Sequence, residues 1–318
     1  MTQHNSYVIQ TQGLTKTYSG VPVLNSLDLN VTKGSIFGFL GPNGAGKTTT
    51  MKLLLGLITP SSGSGTIFGS DITRSSIKIR SKVGYLAQHP RYPSYMSSRE
   101  VLRYTLKFYY KGPNHAIEER IDNMINLVGL EDKADRPIKG FSGGEIQRLG
   151  IAQANANYPD LLILDEPAAS LDPLGRRDVL EIMERLKAHE VTVFYSTHIL
   201  DDVERVSDTV TILNKGQLIA QGSIKEIMGG QEGIVYSVKF EGEGSTVEKQ
   251  ISDQSWVTEV EAKVEENSTL FYVHVSDEQV AKTKLLRLFL TDETINILEF
   301  GIKRYDLEEA FIKLVKGE

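Results

Sequence analysis

Gly41-Pro42-Asn43-Gly44-Ala45-Gly46-Lys47-Thr48-Thr49 spells G-x-x-x-x-G-K-T between a strand-like apolar run, Ser35 to Leu40, and a helix-like run, Met51 to Leu57. A triphosphate needs many hydrogen-bond donors close together. Glycines let the backbone curl so that successive N–H groups point inward, and the start of the helix behind them favours negative charge. Lys47 is then placed to reach the β- and γ-phosphates, and the Thr48 hydroxyl to ligate Mg²⁺. By average residue usage, a chain of this length meets the pattern by chance about once in a hundred. The strand before and the helix after lower that further.

Such a loop needs a carboxylate for the magnesium and a group that activates water. Leu161-Leu162-Ile163-Leu164 is an uninterrupted apolar run, as expected of a parallel strand buried on both faces. It ends in Asp165-Glu166-Pro167, where Pro167 stops the strand. In open α/β sheets, ligands sit outside the carboxyl ends of the strands. Asp165 is expected to face the metal, and Glu166, one residue further out, to polarise the attacking water. A second strand-like run, Val191 to Tyr195, leads to Ser196-Thr197-His198 on the same predicted rim, so His198 is expected near the γ-phosphate. Gln88 follows the strand-like Val83 to Leu86 and meets the same geometric test. It joins Thr48 and Asp165 as a candidate metal neighbour.

About a hundred residues on, Phe141-Ser142-Gly143-Gly144-Glu145 opens a helical run rich in Gln, Arg and Ala. Ser142 with Glu145 three residues later forms a capping box. The two glycines exceed what a cap requires. They leave the helix start bare enough for close approach to a phosphate.

In this order the motifs resemble those of the ATP-binding-cassette (ABC) ATPases over roughly residues 5 to 225. The phosphate loop spans Gly41 to Thr49, Gln88 lies in the Q-loop, and Phe141 to Glu145 form the signature. Asp165 and Glu166 close the magnesium strand, Ser170-Leu171-Asp172-Pro173 match the D-loop, and His198 is the switch histidine. The resemblance implies an α/β fold: a P-loop ATPase cassette with a RecA-like doubly wound core, an antiparallel β subdomain and a helical signature subdomain over about 93–159. It assigns Tyr18, in Thr15-Lys16-Thr17-Tyr18, to stack on adenine. It also implies that the signature of one subunit (Ser142, Gly143, Gly144, Glu145) closes on ATP held by another, with Asp172 linking the two. The chain has one phosphate loop and one signature, so the implied assembly is a homodimer or a pair with a similar cassette. The family's signature often ends in Gln where Glu145 stands. Both residues serve the capping box, but an extra carboxylate works against a nearby phosphate.

Composition sets outer bounds. The chain has 318 residues, room for one large domain and one small one. Lys and Arg total 35 against 41 Asp and Glu, a formal net charge of −6, which argues against a general nucleic-acid binder. There is no Cys, so disulfides and thiolate metal sites are excluded. No uncharged apolar run reaches the length of a membrane span, and the amino terminus lacks a basic-then-apolar signal segment. The expected setting is cytoplasmic, peripheral on the inner face of the membrane through an integral membrane permease.

From about Lys225 the character changes. Met228 to Gly233 reads as a linker. Strand-like segments follow at Ile234 to Phe240, Trp256 to Val264, Leu270 to Val275 and Ile295 to Phe300, with a helix-like stretch at Gln279 to Leu290. Asp306 to Val315 reads as a closing helix capped by Asp306. These predict a small α+β accessory domain over 234–318 with a ferredoxin-like order. The ending Leu307-Glu308-Glu309-Ala310-Phe311 resembles ABC subunits of the drug- and antibiotic-export branch. The resemblance therefore implies an Mg²⁺-dependent ATPase that powers a membrane exporter. The alternative is a soluble ABC ATPase acting on a macromolecular assembly. The stretch Tyr92-Pro93-Ser94-Tyr95-Met96 is aromatic and irregular. Either it borders the groove for a permease's coupling helix or it caps the helical subdomain's own core.

Overall fold

The structure, a computed structural model, describes residues 7–228, 234–265, 268–292, 294–302, 307, 311–312 and 314. The chain divides into two compact units, one of Met1–Ile224 with Lys313–Glu318 and the other of Lys225–Ile312.

The first unit opens with β1 (Tyr7–Tyr18), β2 (Val21–Leu27), β3 (Asn30–Thr32), β4 (Ile36–Leu40) and α1 (Lys47–Leu54). Then come β5 (Ser62–Ile67), β6 (Ser70–Asp71), α2 (Ser76–Arg80) and β7 (Val83–Leu86). Three helices follow: α3 (Ser98–Tyr109), α4 (Asn114–Leu127) and α5 (Gly143–Ala154). The unit continues through β8 (Leu161–Asp165), α6 (Pro173–Ala188), β9 (Thr192–Thr197), α7 (Leu200–Val206), β10 (Thr209–Asn214) and β11 (Gln217–Ser223), and the short α8 (Ile224–Ile227) spans the boundary.

Two sheets organise it. A six-stranded sheet runs β11-β10-β4-β9-β8-β7, parallel except for β11 at its edge. An antiparallel sheet runs β2-β1-β5-β6, with β3 also on β1. Every residue of β4, β8 and β9 is buried, which is why these strands read as continuous apolar runs rather than alternating ones. Phe37 and Phe39 both pack on Phe194, at ring-centroid distances of 5.8 and 5.3 Å. One apolar cluster joins Leu24 and Leu27 of β2, Met51 and Leu54 of α1, and Ile163 of β8, so both sheets share a core.

The run expected to be helical from Met51 to Leu57 starts earlier and ends earlier. Gly46, at φ 108°, turns the chain directly into α1 at Lys47, and Gly56, at φ 61°, follows its end. The stretch Lys111 to Pro113 lies in the loop between α3 and α4, and Asn114 already belongs to α4. Helices α3, α4 and α5 pack on one another, and α5 is seated on β7. That seat depends on Gly84. A Cβ there would lie 2.0 Å from the Ala154 carbonyl oxygen of α5.

The second unit is β12 (Ile234–Glu241), α9 (Ser245–Ser252), β13 (Val257–Val264), β14 (Thr269–Val275), α10 (Glu278–Phe289) and β15 (Asn296–Ile302). Its sheet order, β13-β14-β12-β15 with every pair antiparallel, is the ferredoxin-like arrangement. Phe240, Phe271 and Phe289 meet at its centre with Val247, Ile251 and Leu285. Sequence periodicity does not reveal α9, because its eight residues bury only Val247 and Ile251. The cap of α10 is Asp277, which accepts from the N–H groups of Gln279 and Val280. The linker residues 229–233 and Asp306 with most of the closing segment lie outside the described residues; Leu307, Phe311, Ile312 and Leu314 are helical.

Gly84→Ala is expected to destabilise the protein by on the order of 3 kcal/mol, because the added methyl meets backbone and not a flexible side chain. Thermal unfolding of the variant measures this. A wild-type melting temperature would mean that α5 does not need its close seat on β7.

Candidate functional site

The loop from Gly41 to Thr49 joins the carboxyl end of β4 to α1. Gly44 and Gly46 take φ of 81° and 108°, which only glycine adopts without strain. At Gly41 the reason is space: a Cβ would lie 2.3 Å from the Leu213 carbonyl oxygen. The loop is tied down at both ends. Gly41 N–H donates to the Thr197 carbonyl at 3.2 Å, and the Ala45 carbonyl accepts from Gly216 N–H at 3.0 Å. Together these place the loop over a cavity of about 270 Å³ lined by Asn43 to Thr49, Val23, Gln88 and Glu166.

Charge concentrates on one wall of this cavity. Lys47 Nζ donates to the carbonyls of Gly41 at 2.7 Å and Pro42 at 3.3 Å, and sits 3.0 Å from Glu166 Oε1. The other oxygen of Glu166 is 2.7 Å from His198 Nδ1. Glu166 is only 3% exposed, so its carboxylate is a buried charge paired with Lys47 and bound by the His198 ring. Its backbone is held in the left-handed region at φ 52°. Ser196 holds it there: its Oγ accepts from Glu166 N–H at 2.9 Å and donates to Asp165 Oδ1 at 2.7 Å. Lys47, Glu166 and His198 thus converge from the ends of β4, β8 and β9, as the rim argument requires.

The other expected residues fall in two groups. Thr48, Thr49 and Gln88 line the cavity with the loop. Asp165 does not; it is 1% exposed and bound to Ser196. Tyr18 is also not in the lining. It is 47% exposed at the end of β1, with Lys16 Nζ 5.0 Å from its ring centroid.

The signature occupies a separate hollow. Ser142, Gly143, Gly144 and Glu145 share a cavity of about 320 Å³ with Ser170, Leu171 and Asp172, and no residue lines both cavities. The capping box is formed: Ser142 Oγ accepts from Glu145 N–H at 3.3 Å, and Glu145 Oε2 accepts from Ser142 N–H at 2.8 Å. The other carboxylate oxygen of Glu145 accepts from Lys133 Nζ. Burial acts to raise the Glu145 pKa, but Lys133 and the Ser142 N–H outweigh it and hold the carboxyl below its ordinary value. The charge expected to repel a phosphate is therefore turned back and neutralised within the chain. A Cβ on Gly143 or Gly144 would come no nearer than 3.9 Å to anything, so packing within the chain gives no reason for either glycine. Asp172 caps α6, accepting from Gly175 N–H at 2.9 Å.

Three residues matter here that sequence patterns do not single out. Ser196 organises Asp165 and Glu166. Lys133 neutralises Glu145. Gln147, one turn into α5, donates from Nε2 to the Gln88 carbonyl at 3.1 Å and ties the signature helix to the Gln88 loop. Each acts on a partner distant in sequence, which spacing cannot report.

Ser196→Ala leaves Asp165 Oδ1 and the Glu166 N–H without their shared partner in a buried place. The expected cost is about 1–3 kcal/mol in chemical denaturation, with circular dichroism unchanged. A smaller loss would mean that water or another donor replaces the hydroxyl.

The chain is similar to known proteins over most of its length. The family description "ABC transporter" matches residues 24–169. The chain is 33% identical over 321 residues to the bacitracin transport ATP-binding protein BcrA of Bacillus licheniformis, covering 98% of each. It is 31% identical over 309 residues to the daunorubicin/doxorubicin resistance ATP-binding protein DrrA of Streptomyces peucetius, covering 96% of this chain and 92% of that one. Among solved structures it is similar to CbiO1 of Clostridium perfringens, part of the ABC transporter complex CbiONQ. The TM-score is 0.65 at 30% identity, covering 71% of this chain and 92% of that one. With its phosphate loop, signature and buried Glu166 in place, the chain belongs to the ABC transporter family as an ATP-binding, ATP-hydrolysing subunit.

Proposed function

We propose that this subunit powers a membrane exporter, hydrolysing ATP between two cassettes. The observation that carries this reading is the cluster of Lys47, Glu166 and His198 against the phosphate loop. The loop amides and Lys47 bind the β- and γ-phosphates. Glu166, released from Lys47, orients water toward the γ-phosphorus and draws off its proton as the bond to the β–γ bridging oxygen breaks and ADP leaves, while His198 holds the carboxylate in line. Thr48 and Gln88 line the cavity with side-chain oxygens, and Asp165, whose Oδ1 is held by Ser196, would have to turn its other oxygen toward it to complete the oxygen set that suits Mg²⁺. When bound, Mg²⁺ would neutralise charge on the triphosphate oxygens.

Two cassettes are needed because the signature and the phosphate loop line separate hollows of one chain. Gly143 and Gly144 suit close approach by something outside the chain, and Ser142 and the bare start of α5 suit its phosphate. Whether the second cassette is identical or merely similar, the site is completed in trans. The full-length resemblance to a bacitracin transport subunit and a drug resistance subunit supports export. Among the described residues no helix is long and apolar enough to cross a membrane. The subunit would therefore reach the membrane's cytoplasmic face through a permease.

The docking place we assign to that permease is a groove of about 570 Å³ beside the Gln88 loop, lined by Tyr85, Pro90, Tyr92, Tyr95, Met96 and Tyr104. The two tyrosines of the aromatic stretch differ. Tyr92 is part-buried and donates to Gln153 Oε1 at 2.9 Å, so it braces the helical subdomain. Tyr95 is 80% exposed and Tyr104 62%, an apolar edge free for a partner helix.

Glu166→Gln should keep ATP binding and slow turnover by about 10²-fold or more, whereas Lys47→Ala should weaken binding itself. With ATP, the Glu166→Gln protein should run as a dimer in size-exclusion light scattering. Adding Ser142→Arg should abolish that dimer. Wild-type turnover in Glu166→Gln with binding intact would sink the catalytic assignment, and a dimer indifferent to Ser142→Arg would remove the signature from the interface.

Tyr95→Ala should leave the melting temperature and basal ATPase unchanged but reduce co-purification with the permease and stimulation by it. Unchanged coupling would place the permease elsewhere.

A further inference from the structure

The ferredoxin-like unit carries a cluster of metal-ligating groups that the ATPase chemistry does not use. Glu259 and Glu261 lie two residues apart on the edge strand β13, so their side chains share a face. His274 of β14 is paired with Glu259 and stands on that face too. It is the face away from the unit's core, which Phe271, Val273 and Val275 of β14 enter with the opposite phase.

The three residues behave differently. Both glutamates are exposed, and their carboxylates can swing. His274 is 6% exposed, and its Nε2 has no hydrogen-bond partner. The nearest acceptor, Glu261 Oε1, is 3.6 Å away, too far for a hydrogen bond. A buried imidazole nitrogen left unpaired is costly and needs a reason. One ligand atom from each of the three residues lies within 4.8 Å of the others. Modest rotamer changes in the glutamates would bring all three within bonding distance of one cation, at roughly 2.0–2.2 Å.

The geometry points to a site for a divalent first-row transition cation of the Zn²⁺ type, held by His274 Nε2 and one oxygen each from Glu259 and Glu261. The donor set selects the cation. Mg²⁺ and Ca²⁺ take oxygen ligands, whereas an imidazole nitrogen favours the later transition metals. Two carboxylates and a neutral imidazole balance a dication, and the remaining position goes to water. Bound there, the cation satisfies the buried nitrogen, offsets repulsion between the two glutamates and clamps the edge strand β13 to β14.

The test uses the full-length chain after chelator treatment, free of nucleotide. Excess Mg²⁺ is present to occupy oxygen-only sites, and Zn²⁺ is the calorimetric titrant. The expected result is one Zn²⁺ per chain, a rise in melting temperature, and a Zn²⁺-dependent shift of a single histidine ring ¹⁵N resonance. Glu259→Gln with Glu261→Gln removes only exposed charge, so the metal-free melting temperature should hold. Zn²⁺ affinity should fall at least about tenfold, and the histidine shift should vanish. His274→Gln should abolish the same binding. The chain has five other histidines, so Zn²⁺ uptake unchanged in the double glutamine variant would place the metal on those and overturn the proposal. No saturable Zn²⁺ uptake would also overturn it, leaving His274 and Glu261 as an ordinary ion pair, and so would displacement of Zn²⁺ by Mg²⁺.

Discussion

A buried carboxylate stands where three strands end. Glu166 is shared between Lys47 and His198, and removing the buried lysine from such a pair typically costs about 3–5 kcal/mol. The cost is borne because the surroundings leave Glu166 few alternatives. Its backbone is left-handed at φ 52°, a strain of roughly 1–3 kcal/mol for a residue that is not glycine. Ser196 holds that conformation while binding Asp165 on its other side. The parallel strands make this possible, because β4, β8 and β9, buried on both faces, bring residues distant in sequence to one rim.

The same rim is mechanically connected to the helical layer. Gln147 reaches from the signature helix to the carbonyl of Gln88, in the loop that lines the nucleotide cavity. Beneath it, α5 rests on β7 through the missing side chain of Gly84. A helix seated on backbone moves with the sheet instead of sliding over it. Gln147 and Gly84 thus tie the Gln88 loop and β7 to α5, whose start carries Ser142 and its glycines.

Much of this was legible in residue order. Glycine spacing marks the phosphate loop because few other residues tolerate φ values of 81° and 108°. Unbroken apolar runs mark β4 and β8, since a strand covered on both faces has no reason to alternate. The box formed by Ser142 and Glu145 is local chemistry and forms as read. Less local features escaped. Helix α9 is too short for periodicity to show, and Tyr92 and Tyr95 look alike in sequence although one is bound to Gln153 and the other faces solvent. Glu145 read alone is a charge beside a phosphate site; with Lys133 it is a satisfied pair.

By itself the sequence determined what acts through the backbone within a few residues: the curl of the phosphate loop, the start of the signature helix, the ends of the buried strands and the four strands and second helix of the tail. Those depend on φ preferences, capping and burial period, all of which are local. Tertiary structure alone decided which distant groups meet. It set Ser196 between Asp165 and Glu166, Glu166 between Lys47 and His198, and His274 beside Glu259 and Glu261. It also put the signature and the phosphate loop in separate hollows. Hydrogen bonds and ion pairs act over a few ångströms of space, and only strand order and register convert distance along the chain into that proximity.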